Sequence, residues 1–347
     1  MSDQHRRNAS IGDEGFARKR EAELAAEASS WDVDDVVAAS TSDVPVVDVG
    51  DYFATQDPDA LEALGVQVRD IGERVGFHFL VGHGIDEALV AATFEAAEAF
   101  LTQPEEVKRA IMIDDPNAAA PGIGYLPVGE RRLPRRAKGN LNEAILFKQD
   151  RALRLADNPW PEEAQTPGFR RAVERYAAEV ERVALALLPI YARALELPAD
   201  YFDRAFRSPF WRLRMTRYAP VSAAEVDEFG IAPHVDTTFF TLLAQQGPGL
   251  TIFGEQRQRW LRVPEVRGAL VVNTGELLKQ WSNDRFLSVK HFVPPHPGPG
   301  DRYSIPFFFN ATADHPMVCL PTCHSPANPP KYPPVSYEQS QAAAQRE

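Results

Sequence analysis

Residues 232–244 read APHVDTTFFTLLA, residues 268–274 GALVVNT, residues 286–293 FLSVKHFV and residues 302–310 RYSIPFFFN. These are short runs of β-branched and aromatic residues broken by Gly, Pro and Asn, the signature of strands joined by turns. The same reading extends outward and predicts strands over 211–218, 238–244, 250–253, 260–263, 268–274, 288–293 and 302–309. Seven or eight short strands within about 110 residues argue for a closed sandwich or jelly roll, with helices packed outside it.

Upstream, apolar residues fall at helical spacing. Leu61, Leu64, Val68, Ile71 and Val75 define one helix face, with Asp57-Pro58 as cap and first turn. Val44–Val49 and Phe77–Val81 read as strands, Gly82-His83-Gly84 as a turn, and Asp86 as the cap of a helix running to about Leu101. The stretch 114–160 reads as irregular. Phe169, Val173, Tyr176, Val180, Val183, Leu187, Ile190 and Ala194 trace a long helix that Pro189 is expected to kink. The expected organisation is a mobile arm over 1–43, a helical and strand region over 44–205, a jelly-roll core over 206–322 and a C-terminal extension over 323–347.

Composition narrows the function. The chain has 347 residues, with 37 Lys+Arg against 49 Asp+Glu, a formal charge of −12. Such an acidic surface repels phosphate backbones and anionic lipid, so nucleic acid and membranes are not expected partners. No run approaches the ~18 apolar residues of a membrane span, and the N-terminal residues lack the apolar core of a signal peptide. Two cysteines, Cys319 and Cys323, build no disulfide framework and fit a reducing, cytoplasmic compartment.

The chemistry concentrates in the strand-rich segment. In His234-Val235-Asp236, residues i and i+2 of a strand point to one face, so imidazole and carboxylate converge. His291 lies on a separate strand. Two histidines and one carboxylate make the facial triad of non-haem Fe(II) oxygenases, which leaves coordination positions open for substrates. Arg302 and Ser304 again share a face; an Arg fork beside a hydroxyl suits one carboxylate. Pro306 and Phe308 continue that face as a pocket wall.

Each piece alone has an ordinary explanation, since HxD arises by chance and strand histidines are commonly structural. The joint pattern, in this order, is far more specific. Arg212 and Arg214 share a face with Thr216 and Tyr218, so one of them meets substrate or pairs with a buried acid. Tyr125, in PGIGYLP, is a candidate for the pocket rim. Arg131, Arg132, Arg135, Arg136 and Lys138 form a basic run, either a solvated loop or a lure for an anionic substrate. Cys319, Cys323 and His324 lack a second metal-ligand pair and read as a structural loop, and His83 as a turn residue. Hydrolase elbows, Walker loops and dinucleotide fingerprints are missing from the sequence.

These residues resemble the isopenicillin N synthase-like 2-oxoglutarate/Fe(II)-dependent oxygenases. The likeness spans about residues 44–322 and is carried by VPVVDVG, VGFHFLVGHGI, NPWP with GFRRAVERY, RMTRYAP, NTGELLKQWSNDRFLSVKHFV and RYSIPFFFN. It implies an α+β fold, a double-stranded β-helix (jelly-roll) core with flanking N-terminal helices. It further implies His234, Asp236 and His291 as iron ligands and as the catalytic centre. Arg302 and Ser304 would hold the distal carboxylate of 2-oxoglutarate. Tyr218 is similar to the family's co-substrate tyrosine, although Ala219 replaces a usual proline and Arg217 is an alternative. Phe292 follows His291 where many relatives carry Arg.

The expected activity is a dioxygenase that uses Fe(II), 2-oxoglutarate and O2. It would hydroxylate, desaturate or cyclise a small, anionic organic substrate and release succinate and CO2. Phe308, Tyr125 and Arg214 are the expected substrate contacts. Two alternatives stand beside it: a co-substrate-free Fe(II) oxidase of the isopenicillin N synthase type, and a non-catalytic metal- or ligand-binding jelly roll.

Overall fold

The computed structural model describes residues 36–113, 115, 120–130, 138–225 and 227–339. Among them the strands are β1 (Val36–Ala38), β2 (Val46–Asp48), β3 (Phe77–Val81), β4 (Gly124–Leu126), β5 (Glu143–Gln149), β6 (Phe210–Tyr218), β7 (Ile231–His234), β8 (Phe240–Gln245), β9 (Thr251–Gly254), β10 (Arg259–Arg262), β11 (Leu270–Thr274), β12 (His291–Val293) and β13 (Arg302–Asn310). They form a five-stranded sheet of order β1-β10-β9-β12-β7 and an eight-stranded sheet of order β2-β3-β11-β8-β13-β6-β5-β4. Two facing mixed sheets with helices outside are the expected α+β jelly-roll architecture.

The helices are α1 (Gly50–Thr55), α2 (Pro58–Arg74), α3 (Glu87–Leu101), α4 (Glu105–Arg109), α5 (Phe169–Ala194) and α6 (Glu276–Trp281). α2 starts as its sequence dictates: the Asp57 side chain accepts the Asp59 amide and Pro58 takes the first turn. α5 packs its apolar face on the eight-stranded sheet, bringing the Tyr191 ring within 5.0 Å of the Phe240 ring. Gly65 lets α2 approach α5; a Cβ there would meet the Cβ of Arg193 at 2.7 Å. Pro189 does not interrupt α5, which remains one helix through Ala194.

Three expectations need correction. Residues 36–43, assigned to the mobile arm, are docked: β1 pairs in parallel with β10, and Arg257 bonds Asp43 at 2.6 Å. The stretch 114–160 is not wholly irregular but contains β4 and β5. β5 was missed because Glu143–Phe147 is buried on both faces, so the alternation that marks a half-exposed strand is absent. The boundaries at 205/206 and 322/323 are crossed by structure. β3 pairs with β11, β5 pairs with β6, and Met317 bridges to Val335. Residues 44–205 therefore share one sheet with the core.

Candidate active site

His234 ends β7 and His291 begins β12, and the two face each other in antiparallel register. Their ring centroids lie 4.3 Å apart. Asp236 lies just beyond the end of β7, so strand alternation alone does not bring the carboxylate in. Side chains from neighbouring strands hold it: Oδ2 accepts from Thr241 Oγ1 at 2.7 Å and from Asn273 Nδ2 at 2.8 Å. Oδ1 is left 3.7 Å from the Nε2 of each histidine. The ligand atoms of the three residues all lie within 4.8 Å of one another.

The donor set suits Fe(II) on two further counts. Nδ1 of His234 donates to the Ala232 carbonyl at 2.8 Å, and Nδ1 of His291 donates to the Val289 carbonyl at 3.1 Å. A proton fixed on Nδ1 leaves the Nε2 lone pair for a metal. Burial works to raise the Asp236 pKa, but His291 and His234, with the Asn273 and Thr241 hydrogen bonds, outweigh it and hold the carboxyl below its ordinary value. The carboxylate is thus ionised and pinned by one oxygen, with the other directed at the histidines.

A cavity of about 270 Å³ opens over the triad. Its wall includes Arg302, Ser304, Pro306 and Phe308 from one face of β13, and Arg212, Arg214 and Tyr218 from one face of β6. Both strands present the face that their alternation predicts. Arg302 is 4% exposed, and its Nη2 donates to Gln245 Oε1 at 3.1 Å. Its guanidinium lies 4.9 Å over the Tyr218 ring, while Nε and Nη1 make no hydrogen bond. A buried cation with two open donors calls for an anion. Gly249 permits the fit, since a Cβ there would sit 2.7 Å from Arg302 Nε. The Tyr218 hydroxyl and Ser304 Oγ are 3.2 Å apart, so they form one polar group beside the guanidinium.

Arg217, the alternative to Tyr218, points to the other face of β6. It bonds Glu143 Oε1 and Asp301 Oδ2, both at 2.7 Å. Tyr125 is also placed away from the cavity. It is 1% exposed, and its hydroxyl donates to Glu143 Oε2 at 2.6 Å, in a buried network with Lys108. Burial, then Glu143, pushes the phenol pKa up, which keeps it a neutral donor. The rim reading failed because the apolar body of a tyrosine suits core and rim alike; the acids that claimed its hydroxyl, Glu105 and Glu143, are remote in sequence. Arg214 lines the cavity and donates to Asn142 Oδ1 at 2.5 Å.

Sequence reasoning singled out no role for Asn273, although it lies in the quoted NTGELL segment. Of the basic run, Arg131, Arg132, Arg135 and Arg136 lie outside the described residues; Lys138 pairs with Glu225 at 2.7 Å. Phe292 packs against Phe229 and Trp260, with ring centroids 5.6 and 4.8 Å away. Cys319 and Cys323 are free thiols, and His83 bonds the Gly268 carbonyl at 3.0 Å.

Comparison with known proteins bears on this site. Residues 210–311 match the 2OG-Fe(II) oxygenase superfamily. Residues 44–163 match the family described as non-haem dioxygenase in morphine synthesis N-terminal. The 2-oxoglutarate-Fe(II) type oxidoreductase hxnY of Emericella nidulans is 32% identical over 311 residues, covering 85% of this chain and 87% of that protein. Kihadalactone A synthase LFS of Citrus sinensis is 30% identical over 277 residues, covering 75% of this chain and 80% of that protein. Among solved structures, a 2OG-Fe(II) oxygenase family protein from Caulobacter crescentus superposes with a TM-score of 0.74. It is 25% identical and covers 88% of this chain and 99% of that one. The chain belongs to the 2-oxoglutarate- and Fe(II)-dependent oxygenase superfamily, enzymes that use Fe(II), 2-oxoglutarate and O2.

Proposed function

We propose that His234, Asp236 and His291 are the iron ligands, that Arg302, Ser304 and Tyr218 seat the distal carboxylate of 2-oxoglutarate, and that Phe308 and Arg214 touch a small organic substrate. The observation that carries this reading is the buried Arg302 guanidinium, with Nε and Nη1 unpartnered in the same cavity as the triad. When bound, iron supplies O2 activation, coupling substrate oxidation to conversion of 2-oxoglutarate into succinate and CO2.

The chain's own residues do the positioning. The Ala232 and Val289 carbonyls fix the histidine tautomers, and Thr241 and Asn273 fix the carboxylate, so the metal meets a prepared face. Arg302 offers charged donors to a carboxylate, while the Tyr218–Ser304 pair adds a hydroxyl beside it. The substrate is anionic in this reading, because two arginines of β6 face the cavity. The free thiols and acidic surface support a cytoplasmic setting, away from membranes and nucleic acid.

The test is anaerobic. Fe(II) followed by 2-oxoglutarate should give the visible charge-transfer band of the chelate with the wild-type protein and none with His234→Ala. Iron binding without a band would hand the lead to a co-substrate-free oxidase, and loss of iron binding altogether would refute the ligand assignment.

A further inference from the structure

Arg212 lines the end of the cavity away from Arg302, and its cross-strand partner is a second cation, Lys148; neither forms an ion pair with a carboxylate among the described residues. β5 and β6 run antiparallel, with Lys148 directly opposite Arg212 and Leu146 opposite Arg214. Leu146, Arg212 and Arg214 line the cavity, and Lys148, two residues on from Leu146, falls on the same side of the sheet. Like charges facing each other across a strand pair repel and cost stability. Burial, and then Arg212, lowers the Lys148 pKa from its ordinary value.

Asp150 attracts Lys148 electrostatically and works against the lowering, without reaching it as an ion pair. Oδ1 of Asp150 accepts the amides of Ala152 and Leu153 at 2.7 and 2.8 Å. Glu181 receives Gln149, which alternates to the other face of β5. Nε of Arg212 is buried and makes no hydrogen bond, and Arg212 forms no ion pair with a described carboxylate. Aromatic rings surround it: the Phe210 ring lies 5.4 Å from its Cζ, Phe308 stands opposite it on β13, and Tyr337, whose phenol feels the Arg212 charge, lines the same cavity.

We infer that Arg212 and Lys148 form an anion subsite for the substrate, which is a small organic acid held by its carboxylate there, with its apolar body along Phe308. This rests on the reading of Arg302 as the 2-oxoglutarate clamp. The two acids have separate anchors, because Arg302 faces Tyr218 at one end of β6 and Phe308 faces Arg212 near the other. Six residues of strand separate those positions by about 20 Å.

The experiment uses Fe(II)-loaded protein saturated with 2-oxoglutarate under argon. It is titrated calorimetrically with phenylacetate, 3-phenylpropionate and 4-phenylbutyrate, each beside its neutral amide. At least one acid should bind, with its amide at least tenfold weaker. Arg212→Gln and Lys148→Met should each raise the Kd of that acid about ten- to a hundredfold and leave the Kd of 2-oxoglutarate unchanged. If circular dichroism shows that one variant does not fold, the other decides. The inference is overturned if no acid binds, if acid and amide bind alike, if 2-oxoglutarate competes the acid away, or if both substitutions leave its affinity intact. Failure of the wild-type protein to bind 2-oxoglutarate at the outset would refute the clamp reading instead, so the two failures are distinguishable.

Discussion

Replacing Arg302 by Met separates function from folding. The wild-type guanidinium is 4% exposed, with one hydrogen bond to Gln245, a stacking contact on Tyr218 and two donors without partners. Burial lowers its pKa from the ordinary value, meaning that the unliganded fold bears a desolvation cost for the charge. Two hydrogen bonds to a charged carboxylate are worth about 1.5–3 kcal/mol each, so Arg302→Met should raise the Kd of 2-oxoglutarate by two to four orders of magnitude. Stability should scarcely change. The lost Gln245 bond and Tyr218 contact cost about 1 kcal/mol each, while relief of a buried unpaired charge returns several kcal/mol before packing losses. These oppose one another, and the unliganded Tm should move by less than about 5 °C. The assay pairs an anaerobic titration of Fe(II)-loaded protein with 2-oxoglutarate, read by the charge-transfer band, with a thermal melt of unliganded protein. A Kd within threefold of wild type would refute the clamp. A fall in Tm beyond about 10 °C would show that the guanidinium is an ordinary structural residue.

Three further outcomes are expected. Asn273→Ala removes one of two donors to Asp236 Oδ2, and Fe(II) affinity should fall about ten- to a hundredfold in competition with a chelator; a change under twofold would contradict its orienting role. His78 is fully buried on β3, and burial lowers its pKa to about 4, so the unfolded chain takes up a proton between pH 6.5 and 4 that the folded chain refuses. Its contribution is complete above pH 6.5; urea unfolding should show about 2 kcal/mol lost between pH 7.5 and 5, a component missing from His78→Phe. Glu143→Gln withdraws the acid shared by Lys108, Arg217 and Tyr125, and should lower Tm by roughly 6–12 °C for about 3 kcal/mol while 2-oxoglutarate affinity holds. A coincident loss of 2-oxoglutarate affinity would mean that the network reaches the cavity.

The site was legible where chemistry and strand alternation coincide. Arg302, Ser304, Pro306 and Phe308 needed only the period of two to fall on one wall, and so did Arg212, Arg214 and Tyr218. Asp236 was identified correctly as a converging residue but for an incomplete reason: the carboxylate is steered by Thr241 and Asn273, whose spacing from it carries no local signal. Tyr125 and β5 show the same gap from the other side. A continuous apolar run does not say which face looks into a cavity, and a buried hydroxyl is claimed by acids that only tertiary packing brings near.

The position of β3 also has a consequence for biosynthesis. Its neighbour on one side, β2, is available soon after it leaves the ribosome, but on the other it pairs with β11. The chain must grow by about 190 more residues before that partner emerges, roughly ten to forty seconds at usual elongation rates. Throughout that interval Phe77–Val81 presents an unpaired apolar edge, the kind of template on which nascent chains aggregate. Overexpression that outruns chaperone capacity should therefore send this protein into inclusion bodies through its N-terminal half, however stable the finished enzyme is.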